Sequence, residues 1–177
     1  MNKKYALISV SDKEGLVPFA QKLIEKGYGL IASGGTHSIL EENNLEVLQV
    51  EAITDSPEML GGRVKTLHPL IHGAILYQRD NKEHLKDKEA HGLVDISLVV
   101  CNLYPFEQVL RSDKEEAELI ENIDIGGPTL LRACAKNYHD VCVVVDPEDY
   151  DAVINKMDDI YFRKQMAYKA FSHTAAY

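Results

Sequence analysis

Short apolar runs alternate along the chain with stretches in which apolar residues return every three or four positions. The runs are Tyr5 to Ser9, Gly29 to Ser33, Glu46 to Val50, Ile96 to Cys101 and Val141 to Val145, each of a length that suits one strand. Between the first two, Leu16, Phe19, Ala20, Leu23 and Ile24 fall on one face of a helix that stops at Lys26-Gly27. Thr36, Ile39 and Leu40 begin a second helix that stops at Asn43-Asn44. Strands that are apolar throughout and alternate with helices bury both faces of a sheet, so the pattern predicts an α/β fold with a mainly parallel sheet.

The rhythm breaks between Thr54 and Leu76, where Pro57, Gly61, Gly62, Pro69 and Gly73 interrupt any long element. A long irregular segment inside a compact domain points to function. Asn81 to His91 is crowded with charge and predicts a solvated helix with no functional role. Glu148 to Met157 and Ile160 to Ala176 predict two closing helices. With no repeat, low-complexity tract or linker in the pattern, residues 1–177 are expected to form a single domain.

Charge narrows the partners. The chain carries 19 Lys plus Arg against 28 Asp plus Glu, a formal charge of −9, which disfavours a grip on a nucleic-acid backbone. A small anionic ligand is still allowed where a few cations and backbone N–H groups gather in one pocket. The acid excess is expected to lie elsewhere, in Glu115, Glu116, Glu118, Glu121 and Glu148 to Asp151. Cys101, Cys134 and Cys142 are odd in number and sit in apolar runs, the expectation for buried, reduced thiols and a cytoplasmic protein. No apolar run approaches a membrane span, so no membrane partner is expected.

Candidate chemistry gathers where strands end. The first strand runs into Ser11-Asp12-Lys13 and the second into Ser33-Gly34-Gly35-Thr36 at a helix start. In open α/β sheets ligands bind at that edge, and a helix N-terminus offers free N–H groups to an anion. The other reading of Ser33 to Thr36 is an ordinary turn with Thr36 as cap. Arg63 and Lys65, one residue apart in a Gly-flanked loop, point opposite ways if extended. One can then face a ligand while the other secures the loop or a neighbouring subunit, although a solvated loop suits them as well. His68 and His72 have the spacing of a metal pair, but Pro69 intervenes and no acidic motif accompanies them, so they are expected to be structural or to support a site from behind its lining residues. Asn102 and Tyr104 follow the fourth strand, with Leu103 and Phe106 as core. Asp124 precedes a Gly-rich helix start with Pro128 in its first turn, and Lys136 closes that helix. An amine pressed against apolar residues and near other cations can act as a base near neutrality, whereas a lysine that snorkels to the surface cannot.

These segments resemble the IMP cyclohydrolase domain found at the N-terminus of the bifunctional AICAR transformylase/IMP cyclohydrolases. The resemblance is carried by Ser9 to Lys13, Ser33 to Thr36, Glu58 to Pro69, Asn102 to Phe106, Ile123 to Gly127 and Ala135 to Asn137, and it spans nearly the whole chain. The Ser-Gly-Gly-Thr turn also occurs in methylglyoxal synthase, which would eliminate phosphate from a triose phosphate. It occurs again in the regulatory domain of carbamoyl phosphate synthetase, a non-catalytic nucleotide-sensing module. The resemblance implies a methylglyoxal-synthase-like three-layer sandwich around about five mainly parallel strands. It also implies ring closure of 5-formamidoimidazole-4-carboxamide ribotide (FAICAR) to IMP, the last step of de novo purine biosynthesis, with no metal or organic cofactor and in a homodimer.

By motif position, the resemblance places Ser11, Asp12, Lys13, Ser33, Gly34, Gly35, Thr36, Arg63, Val64, Thr66, Cys101, Asn102 and Ile125 around the nucleotide. It makes Lys136 the proton-transferring residue, with Lys65, Tyr104 and Asp124 at the reacting groups. The reaction asks for such types. A carboxamide nitrogen is a weak nucleophile that must be held against the formyl carbon, and negative charge then grows on the formyl oxygen. Lys65 and backbone N–H groups of the Arg63 loop suit that oxygen, while Asp124 and Asn102 suit the carboxamide. The chain stops at Tyr177, within a motif that in the family continues to the transformylase domain, so that second domain and its activity are not expected here.

Overall fold

The computed structural model describes residues 3–104, 106, 110 and 115–177. Pro105, within the Asn102 to Phe106 motif, lies outside them. Five strands, β1 (Lys4–Val10), β2 (Gly29–Ala32), β3 (Val47–Gln49), β4 (Asp95–Asn102) and β5 (Cys142–Val144), form one sheet in the order β3-β2-β1-β4-β5. Every neighbouring pair is parallel. The expected architecture is present, and the sheet is parallel throughout.

Period-two alternation divides the core between two faces. Leu7, Ile31, Val99 and Val143 point to one side. There they meet α3 (Val50–Thr54), α4 (Pro69–Leu76), α7 (Gly126–Lys136) and α9 (Ile160–Ala176). Ala6, Ile8, Leu30, Leu98 and Val144 point to the other, against α1 (Leu16–Glu25), α2 (Gly34–Glu42) and α8 (Tyr150–Lys156). The charged α5 (Lys82–His91) buries no residue, as its pattern predicts. The short α6 (Glu116–Glu121) likewise buries none. All three cysteines are buried and unpaired. Burial pushes the thiols of Cys101 and Cys134 far up, and that of Cys142 to about 12.

Two expectations about elements need correction. The third strand stops at Gln49, and Val50 instead opens α3 and enters the core. The segment from Thr54 to Leu76 is not irregular throughout, since its last eight residues form α4. Pro69 starts this helix, where its missing N–H costs nothing, and His68 Nδ1 accepts from Leu70 N–H at 3.2 Å. His72 sits half-buried in the same helix, and burial holds its imidazole below the ordinary pKa.

The sheet's amino edge is held by Asp95. Tyr77 donates to it, Lys88 donates at 3.0 Å, and Arg79 Nε lies 3.6 Å away. Burial pushes the Asp95 carboxyl up, but these donors and charges outweigh burial and leave it below the ordinary value of 3.8. A depressed carboxylate stabilises the fold fully above the unfolded pKa and loses that contribution as pH falls through the folded one. Asp95→Asn is therefore expected to cost about 2 kcal/mol at neutral pH. The variant should also lose less stability than the wild type as pH falls from about 5 to 2. Urea unfolding across that range checks both.

Candidate active cleft

The strand order reverses direction between β1 and β4, the crevice where doubly wound sheets bind ligands. Here the ends of β1, β2 and β4, the 61–67 loop and the 120–127 segment line a cleft of about 770 Å³, a volume that accommodates a nucleotide-sized ligand.

The loops are fixed by side chains the sequence offers to a ligand. Asn102 Oδ1 accepts from Ser11 N–H and Asp12 N–H at 2.6 and 2.9 Å, and its Nδ2 donates to Asp12 C=O at 2.9 Å. Its amide therefore ties β4 to the loop after β1. Thr36 is buried, and its hydroxyl accepts from Val10 N–H and donates to Val10 C=O, both at 3.2 Å. Thr36 thus docks α2 onto the end of β1. Ser33 is the N-cap residue of α2 and its side chain makes no cap hydrogen bond, and Ser33 to Thr36 line the cleft at the helix start, where backbone N–H groups lack intrahelical partners. Lys13 Nζ curls back onto the carbonyls of Val10 and Ser11 at 3.3 and 3.1 Å.

Both loop cations have carboxylate partners. Lys65 pairs with Glu58 at 2.9 Å, and Arg63 pairs with Glu121 across the cleft from its own loop. Hydrogen bonding to Arg63 holds the Glu121 carboxyl below its ordinary range. The loop places Lys65 by means of Gly62, whose φ is +93°. A Cβ there would stand 2.8 Å from Lys65 Cε, so any side chain would displace the lysine. The Lys65 amine reaches over the start of α2, 3.5 Å from where a Gly34 Cβ would be.

Asp124 sits before α7 with Oδ1 accepting from Gly127 N–H at 2.8 Å. Gly127 is required, because a Cβ would stand 2.4 Å from Asp124 Oδ2 and 2.6 Å from Leu103 Cδ2. Tyr104 is half exposed at the cleft wall. The cleft thus unites Ser11, Lys13, Ser33, Gly34, Gly35, Thr36, Arg63, Lys65, Thr66, Asn102, Tyr104, Asp124 and Ile125.

Four expected site residues stand outside it. The Asp12 side chain accepts from Glu14 N–H. Val64 bridges to Met59 within its own loop. Cys101 is 1% exposed, with its thiol toward Gly127 C=O. Lys136 lies at the far end of α7, about 15 Å along the axis from Gly126. It is exposed and lines a separate groove with Arg79, His139 and Asp140. Its apolar sequence neighbours turn into the core, and the lysine does not follow them. Glu121, expected among the remote acid, instead lines the cleft and pairs with Arg63. Its partner is 58 residues away, and no local pattern announces such a pair.

Among the described residues no helix is long and apolar enough to cross a membrane, and no group of three or more metal-donor side chains gathers. The arrangement is an α/β domain in which a helix start, a lysine, a tyrosine and an aspartate line one cleft. Residues 15–129 match the family described as MGS-like domain, and residues 134–177 match AICARFT/IMPCHase bienzyme. The chain belongs to the MGS-like domain family. It is 50% identical over 97% of its length to the bifunctional purine biosynthesis protein PurH of Leuconostoc mesenteroides, and 53% identical over 98% to that of Thermoanaerobacter. The chain spans 35% of each of these relatives. The crystal structure of ForH superposes with a TM-score of 0.88 at 33% identity, covering 99% of this chain and 95% of that one.

Proposed function

We propose that the cleft closes the ring of FAICAR to IMP with loss of water. The observation that carries this reading is that the start of α2 and Lys65, Tyr104 and Asp124 line one cleft. The ribotide phosphate takes the free N–H groups of α2, with Ser33 and Lys13. The carboxamide nitrogen then attacks the formyl carbon. A C–N bond forms, and the formyl oxygen takes the electron pair beside the Lys65 ammonium. Asp124 receives the proton from nitrogen, since Oδ2 has no hydrogen-bond partner among the described residues. Asp124 passes that proton to the oxyanion to give a hydroxyl, Tyr104 supplies a second proton as the hydroxyl leaves as water, and the nitrogen that forms the C=N bond returns its proton to the Tyr104 phenolate. Membership in the MGS-like family and the AICARFT/IMPCHase match over residues 134–177 support the reading.

The proposal treats residues 1–177 as one cyclising domain that works in the cytoplasm as a homodimer, with the nucleotide as partner and no metal or organic cofactor. Three buried, unpaired thiols suit a reducing compartment. An exposed Lys136 at the far end of α7 transfers a proton in this reaction only where a second copy brings it to a cleft. Within its own chain it does not touch the nucleotide, so Lys136→Ala is expected to bind IMP within about twofold of the wild-type affinity by calorimetry. A tenfold weakening would return Lys136 to the nucleotide site. The activity itself is tested by mixing the purified chain with FAICAR and following the absorbance of IMP, with dihydroxyacetone phosphate as the control substrate. A folded chain that forms no IMP overturns the proposal, and release of methylglyoxal from the control assigns the cleft to phosphate elimination instead.

A further inference from the structure

We infer that Tyr177 is a positioning residue for the reaction, holding Asp124 in its working orientation from outside the cleft. The inference rests on the cyclohydrolase reading of the cleft. Helix α9 packs Ala167 and Ala170 into the core and delivers Tyr177 to the segment before α7. There the phenol oxygen accepts from the backbone N–H of Asp124 at 2.8 Å. The ring is located by the end of α9 and by Phe106, whose centroid is 6.1 Å away at a tilt of 53°.

Asp124 is therefore held at two points. Its carboxylate accepts from Gly127 N–H and its own N–H donates to Tyr177. The first anchor alone leaves the backbone free to swing about the carboxylate, while the two together define where Oδ2 points. Neighbouring side chains add little restraint, since Ile123 and Ile125 are 45% and 58% exposed. Tyr177 itself is absent from the cleft wall, so it acts only through Asp124. Burial raises its phenol above the ordinary pKa, which keeps it protonated at neutral pH with its oxygen free to accept.

Tyr177→Phe removes one oxygen and keeps the ring against Phe106, so the fold is retained. A base displaced by a fraction of an ångström loses rate rather than ground-state affinity. The variant is expected to lose about tenfold in kcat for IMP formation, with KM within about twofold. Amide exchange at Asp124, read by heteronuclear NMR, should quicken about tenfold. Tyr168→Phe, at a position of the same helix that is 76% exposed, should change neither. Wild-type exchange at Asp124, or faster exchange with an unchanged kcat, overturns the inference. Should the wild-type chain form no IMP, the cyclohydrolase reading falls. The exchange comparison then still decides whether Tyr177 holds Asp124, with quicker exchange supporting the contact and unchanged exchange refuting it.

Discussion

Asp124→Asn is expected to slow IMP formation about a thousandfold while changing IMP affinity by less than about threefold. The substitution isolates the charge. An asparagine oxygen still accepts from Gly127 N–H, so the start of α7 keeps its cap. The phenol of Tyr177 still receives the backbone N–H of residue 124. What disappears is the basicity of Oδ2, and an amide cannot take the proton that the carboxamide nitrogen must shed as the C–N bond forms. General-base removal alone accounts for about 10²–10⁴ in rate. Single-turnover kinetics with FAICAR and an IMP titration measure the two quantities separately. A variant that keeps more than a tenth of the wild-type rate removes Asp124 from proton transfer.

How much of this was legible before the structure depends on how far apart the cooperating residues lie. Leu16, Phe19, Ala20 and Leu23 are neighbours on one helical face, and all four are buried on α1. Ser33 to Thr36 likewise contains its own strand end and helix start. Charge and motif also pick out Lys65, Asn102 and Asp124, which the structure places along one cleft. They do not reveal that the Asn102 amide is spent on the loop after β1 or that the Thr36 hydroxyl is spent on Val10. A motif fixes identity and spacing along the chain, whereas Lys136 shows that eleven residues of helix carry its last residue away from a site that its first residues line. Partners such as Arg63 with Glu121 and Asp124 with Tyr177, separated by 58 and 53 residues, meet only through the packing of whole elements.

Lys65→Met carries the second large effect, an expected loss of about 10²–10³ in kcat. The methionine keeps most of the length and apolar stem of lysine but removes the ammonium that would face the developing oxyanion. That ammonium pairs with Glu58 at 2.9 Å, so the loss of rate must be distinguished from the loss of the ion pair. Glu58→Gln makes the distinction. It breaks the same pair and leaves Lys65 charged, and because the pair is partly exposed its own contribution to stability is small. The Glu58 variant should therefore stay within about threefold of the wild-type rate. Gly62→Ala gives an independent check on placement, since its Cβ would meet Lys65 Cε at 2.8 Å and push the intact amine off its line. If charge at that point in space lowers the barrier, the rates follow the order wild type and Glu58→Gln, then Gly62→Ala, then Lys65→Met. A Lys65→Met chain as fast as Glu58→Gln would show that the oxyanion is held by backbone N–H groups alone.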